Sequence, residues 1–274
     1  MLLRYISVLI LLCASLKAAA QHPPVFEGMT SDTSFFALGD LEVNLVKYRY
    51  KEPRINFLAI HDNEDTGIKA AFLFLSVNGG TIVDSQYGGG RNFKFISEEE
   101  TFQTDPNSIY TKRGIKIGLQ KYGIWDDNVI NMLDTAGKKI IKYYNQEKPG
   151  YIFTLHNNGD GAFGIRSYLP GYELSSAADS VYINFEMDPD DMVLVTEPAI
   201  FSLLKQENVN VVLQSRFATD DGSLSIYAMQ NKIPYINVEV QHGHLGENLR
   251  LIKLSAAALI KTQPLPPGTK KPAD

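Results

Sequence analysis

His61-Asp62-Asn63-Glu64 follows directly on the apolar run Ile55-Asn56-Phe57-Leu58-Ala59-Ile60, and this junction decides how the chain is read. A short apolar run ending abruptly in polar residues is the pattern of a buried strand. The junction therefore delivers a histidine and a carboxylate, three residues apart, to a strand's C-terminal end. Open α/β sheets place their ligand sites there. A second delivery of the same kind is Tyr151-Ile152-Phe153-Thr154-Leu155 followed by His156-Asn157-Asn158. A third run, Pro234-Tyr235-Ile236-Asn237-Val238, ends at Glu239.

Outward from these three runs the chain alternates between strand and helix from about residue 40. Residues 43–50 alternate as a strand. Residues 66–76 read as a helix, with Ile68, Ala71, Phe72 and Leu75 at three- and four-residue steps. Gly79-Gly80 ends it, and residues 81–85 and 91–96 read as strands on either side of the loop Gly88-Gly89-Gly90. A helix over 126–144 is capped by Asp126 or Asp127. Shorter helices fit 198–207 and 222–231, a strand fits 209–214, and a last helix fits 246–262. Strands alternating with helices predict an α/β domain with a parallel or mixed sheet covered on both faces. One such domain, residues 40–262, is expected. Residues 21–39 read as a lead, with Pro23-Pro24 arguing against early regular structure. Residues 263–274, rich in Pro and Lys, read as a disordered tail.

The start of the 274-residue chain has a different character. Arg4, an apolar run over 5–13 and Ala18-Ala19-Ala20 make up a secretory signal peptide, cleaved near Ala20. The run is too short for a confident membrane span, so a secreted or periplasmic protein with no stable membrane insertion is expected. Cys13 is the only cysteine, so the mature chain holds no disulfide and depends on its core. Net charge is −5 with both signs mixed, and no basic stripe marks a nucleic-acid surface. Nothing in the sequence fixes an oligomeric state.

His61, Glu64 and His156 form a His2Glu set, the sphere of catalytic zinc that leaves a position open for water. Glu239 is a candidate general base for that water. Arg91, after three glycines, could point a guanidinium at a developing oxyanion. Each residue has a plainer reading. Glu64 could cap the next helix, and His156 could bond a neighbouring loop. Glu239 could pair with Arg166, Arg216 or Arg250. Asp62 and Asp65 are either partners that orient the ligands or first-turn acids. His242-Gly243-His244 is a rival cluster that more readily lines the rim. The combined reading is a zinc-dependent hydrolase of amide bonds.

The order His-x-x-Glu, Arg, an Asn-containing loop, His and a strand-end Glu resembles the zinc carboxypeptidase clan. The clan includes the metallocarboxypeptidases and the succinylglutamate desuccinylase/aspartoacylase group. The resemblance covers about residues 40–260. It implies a mixed, largely parallel sheet with helices on both faces, with His61, Glu64 and His156 on zinc and Glu239 as general acid/base. Arg91 would polarise the scissile carbonyl. Asp105-Pro106-Asn107-Ser108 is similar to the segment that holds the substrate carboxylate, with Asn107 kept and Ser108 where the clan has arginine. A serine cannot supply a bidentate cation, so Arg166 is the first replacement candidate, ahead of Arg113 and Arg216. Tyr168 and Tyr227 are candidates for the clan's mobile tyrosine. The substrate implied is a small peptide or N-acyl amino acid. Alternatives are an N-acyl amino acid deacylase, a peptidoglycan amidase, or a non-catalytic binding protein on the same scaffold.

Overall fold

The computed structural model describes residues 22–52, 55–145, 150–161 and 163–263. The expected signal peptide, residues 1–20, and all but the first residue of the tail expected at 263–274 lie outside the described residues. The first elements are β1 (Thr30–Leu38), β2 (Leu41–Tyr50), β3 (Asn56–Ala59), α1 (Asp65–Asn78), β4 (Gly80–Gln86), β5 (Phe93–Ser97), β6 (Glu100–Thr104) and α2 (Lys112–Tyr122). Then come α3 (Asp127–Tyr144), β7 (Ile152–Asn158), β8 (Ala178–Tyr182), β9 (Met192–Val195), α4 (Pro198–Gln206), β10 (Val211–Gln214), α5 (Leu224–Gln230), β11 (Tyr235–Gln241) and α6 (Leu245–Thr262).

Among the described residues, nine strands join one sheet in the order β1-β2-β4-β3-β7-β11-β9-β10-β8, and β5 pairs with β6 separately. The pairs β4–β3, β3–β7, β7–β11 and β9–β10 are parallel, and the other neighbours are antiparallel. The sheet is thus evenly mixed rather than largely parallel. One reason is local: the two-residue connection Gly39-Asp40 joins β1 to β2, and so short a link permits only an antiparallel pair.

Strand β1 occupies much of the stretch expected to be an irregular lead. Its first half, Thr30-Ser31-Asp32-Thr33-Ser34, is polar and mostly exposed. An edge strand needs little apolar alternation, because one side faces no neighbour.

Alternation along the central strands divides the core. Phe57 and Ala59 of β3, Phe153 and Leu155 of β7, and Ile236 and Val238 of β11 pack with residues of α1, α4 and α6. Phe57 meets Phe74 and Phe153 edge-on, at 5.4 and 4.9 Å between centroids. Leu58 and Ile60 point the other way, into a cluster with residues of α2, α3 and α5. Helices therefore cover both faces, as expected. Their starts follow ordinary capping chemistry: Thr111 caps α2, Asp126 caps α3, and Ser223 caps α5.

The topology places β3, β7 and β11 side by side and parallel, so all three end at one edge of the sheet. On the face opposite Phe153 and Ile236, β7 carries Thr154 and His156, and β11 carries Asn237 and Glu239. All four are buried. This polar strip stands where an apolar helix-facing strip would otherwise be, and a cavity opens over it.

Candidate metal centre and active site

His61 lies two residues beyond the end of β3, and its side chain is fully buried. Glu64 holds the position before α1 but makes no side-chain cap to the helix. Its carboxylate turns inward instead. Oε1 lies 2.9 Å from His61 Nδ1, and Oε2 lies 3.0 Å from His156 Nδ1. The two Nδ1 atoms are 3.0 Å apart. Three potential ligand atoms, two imidazole nitrogens and a carboxylate oxygen, thus converge on one buried point. The helix-cap reading of Glu64 is replaced by this inward geometry.

The far side of His61 is held by Asp105, to which Nε2 donates at 2.8 Å. Asp105 Oδ1 also accepts from the Asn107 backbone N–H at 2.7 Å. That fixes the His61 ring and directs Nδ1 at the convergence point. Burial pushes the His61 imidazole down, but the Glu64 charge and the bonds to Asp105 and Glu64 outweigh it and raise the group to about 9. Burial opposes ionisation of Asp105 too, yet His61 and Arg91 hold it down at about 2. Burial likewise works against the Glu64 carboxylate, but the two histidines hold it well below the usual range. The charges stabilise one another in a site otherwise hostile to charge.

This donor set suits a metal ion. Nitrogen and oxygen ligands from two His and one Glu are borderline donors that take zinc and its neighbours. Asp105 supplies the carboxylate–histidine support common behind such ligands.

Glu239 stands one strand away from His156, in register with it on β11. It is buried, and its Oε2 accepts from Asn237 Nδ2 at 3.2 Å. Burial pushes its carboxyl up to about 6, with the Glu64 charge adding to the rise and His156, Asn237 and Arg91 working against it. None of the arginines considered as partners reaches it; Arg250 pairs with Glu247 at 2.6 Å.

Arg91 bonds Glu64 and lies 3.7 Å from Asp105 across its second amino group. Its side chain is half-exposed, so it reaches from the ligand set to the open cavity. That cavity has a volume of about 760 Å³. Its walls include Glu64, Arg91, Asn107, His156, Glu239 and Tyr168. Lys121, Asp221, Ser223 and His242 also line it.

Several predicted residues stand elsewhere. Ser108 is absent from the cavity walls, and its Cβ faces α2, 3.3 Å from where a Cβ on Gly118 would sit. Arg166 is exposed and outside the walls. Tyr227 is also outside them, packed beside Tyr110 with ring centroids 6.2 Å apart. Of the two tyrosines considered, Tyr168 is the one on the wall. Asn107 is on the wall, where its Oδ1 accepts from the Leu224 backbone at 3.1 Å and leaves the amide N–H groups for a ligand. His242 lines the rim as expected, whereas His244 pairs with Asp191 at 3.0 Å. Asp62 does not orient a ligand histidine; it holds the backbone of Tyr87 and Gly89.

Asp105 is the residue the sequence reading misses as the partner of His61. Lys121 and Asp221 are also new. They reach the cavity because α2 and the 220–223 turn touch closely: a Cβ on Gly114 would lie 1.9 Å from Gly222 Cα.

No protein-family model and no curated protein matches the sequence. Among solved structures the chain is similar to an inferred metallopeptidase from Shewanella denitrificans, at 12% identity and TM-score 0.43, covering 86% of this chain and 84% of that one. It is similar to the product-bound ectoine utilization protein EutE from Ruegeria pomeroyi, at 9% identity and TM-score 0.46, covering 93% and 73%. It is also similar to the cell shape determinant protein Csd4 from Helicobacter pylori, at 15% identity and TM-score 0.41. In that last match 79% of this chain covers 52% of the other, so the chain spans about half its length.

Proposed function

We propose that this chain is an exported zinc-dependent hydrolase of an amide or peptide bond. The observation that carries the reading is the convergence of His61 Nδ1, His156 Nδ1 and the Glu64 carboxylate on one buried point, with Glu239 on the next strand. His61, Glu64 and His156 would hold the metal. When bound, zinc supplies Lewis-acid chemistry, acidifying water and polarising a carbonyl.

The remaining steps belong to the protein. Glu239 takes a proton from the attacking water as its oxygen adds to the carbonyl carbon. It then returns that proton to the leaving nitrogen as the C–N bond breaks, yielding a carboxylic acid and an amine, which exchange a proton to leave as carboxylate and ammonium. A carboxyl near 6 suits both halves of this exchange at neutral pH. Arg91 places a guanidinium on the cavity wall beside the ligand set, where it can stabilise a developing oxyanion. The Asn107 amide is placed to donate to a substrate carboxylate or carbonyl.

The cavity size suits a short peptide or an N-acyl amino acid. With the leader of residues 1–20 directing export, peptidoglycan stem peptides and scavenged peptides are the natural candidates. The test is release of primary amine from a panel of N-acyl amino acids and muropeptides by the zinc-loaded chain. Release that disappears in Glu239→Gln is expected. No release from any member, by a chain that holds zinc, would count against the hydrolase and leave a metal-binding receptor.

A further inference from the structure

His22 lies ahead of β1, far from the catalytic residues in sequence, yet it reaches the back of the candidate centre. Its Nε2 is 3.1 Å from Asp62 Oδ1, and its Nδ1 is 3.1 Å from Asp84 Oδ2. Asp65 Oδ1 is 3.8 Å from the same Nδ1. Asp62 and Asp84 are 1% and 0% exposed, so the imidazole joins two carboxylates that water cannot serve. A buried carboxylate stripped of its partner costs far more than a surface one. The Asp62 and Asp84 carboxylates raise His22 to about 10 despite partial burial, so at neutral pH the ring is a cation, with Nε2–H donating to Asp62 and Nδ1 within ion-pair distance of Asp84.

Asp62 passes this contact onward. Its Oδ2 accepts from the backbone N–H of Tyr87 at 2.5 Å and of Gly89 at 2.6 Å. The Tyr87 hydroxyl then donates to the Arg91 carbonyl at 2.9 Å. Between them Gly88 and Gly89 have φ values of 100° and 80°, a conformation that glycine permits but does not enforce. The loop at residues 87–91 therefore takes its shape from Asp62, and Arg91, at its end, bonds the ligand Glu64.

We infer that His22 is a positioning residue: the segment ahead of the sheet clamps Asp62, and through it the 87–91 loop that aims Arg91 into the site. Its kinetic consequence rests on the proposed hydrolase, but the clamp itself does not. The segment ahead of the sheet thus belongs to the active-site architecture.

Hydrogen–deuterium exchange of the full chain tests this directly. In His22→Ala, and in His22→Gln where volume must be kept for folding, peptides covering 84–92 should exchange at least tenfold faster, while those covering β7 and β11 keep wild-type protection. His22→Lys, which restores a cation, should recover most of the protection. On an active substrate, kcat should fall about tenfold with KM within twofold. Unchanged exchange at 84–92, or a uniform rise across all segments, would overturn the clamp. The exchange needs neither metal nor substrate. An inactive wild type that still shows the contrast would remove the hydrolase reading and keep the clamp.

Discussion

Glu239 and His156 stand opposite one another in register on the parallel neighbours β11 and β7. Neither touches the other through a hydrogen bond; the strands alone set their spacing. A carboxylate placed this way is held by the sheet and not by the neighbouring histidine. Glu239→Gln keeps shape and the Asn237 neighbour but cannot take a proton. Turnover should fall by about 10²–10⁴-fold, the usual range for a lost general base, with metal content unchanged. Steady-state rates beside metal analysis check this. A variant within a few-fold of wild type would remove Glu239 from the chemistry.

Asp105 predicts a different signature. It supports His61 from behind without facing the metal point. Asp105→Ala should weaken zinc affinity by about 10–100-fold, as for other lost partners of a ligand histidine. Competition against a chromogenic chelator measures it. An unchanged affinity would mean that burial alone orients the His61 ring.

Ser108→Arg would seem to restore the carboxylate grip of the clan that the sequence resembles. The structure predicts otherwise, because Ser108 faces Gly118 of α2 and not the cavity. The long side chain should overpack that contact, at a cost of about 1–3 kcal/mol, with no gain in affinity for acidic substrates. Thermal unfolding and KM on paired substrates, with and without a terminal carboxylate, decide the matter. A lowered KM confined to the carboxylate series would show that the loop can turn the side chain inward.

The His22 cluster makes stability depend on alkaline pH. A histidine raised from 6.5 to about 10 contributes stability fully below about 6.5, and loses it as pH rises through about 10. The wild-type melting temperature should therefore decline between pH 7 and pH 10 more steeply than that of His22→Gln. Parallel slopes for the two proteins would show that the ion pairs with Asp62 and Asp84 do not contribute as the geometry implies.

The parts legible in the sequence are those written as local pattern. The apolar runs of β3, β7 and β11 end in His61, His156 and Glu239, and the structure brings all three strand ends to one edge. The period-two alternation of Thr154 with His156, and of Asn237 with Glu239, carries a further signal: a polar strip on one face of buried strands. Helix α2 was not anticipated, because Gly114 and Gly118 disfavour a helix by about 1 kcal/mol each. Both are there for contact, since a Cβ on either would strike Gly222 or Thr104. Asp105, forty-four residues from His61 in the chain, left only a weak trace, an acid before Pro106 that caps a short turn. Its second role depends on how β6 delivers it, which no local pattern encodes. Arg166 and Tyr227 lie off the cavity wall for the converse reason: sequence proximity to His156 or a strand does not determine which side of a loop or helix faces the cavity.

The central claim is that His61, Glu64 and His156 hold one metal ion. The most direct measurement is the metal content of the purified chain from residue 21 to 274, loaded with zinc and dialysed, beside a His61→Ala/His156→Ala double variant. The account predicts about one zinc per chain in the wild type and none in the variant. A wild type that takes up no zinc, or a variant that keeps it, would contradict the account.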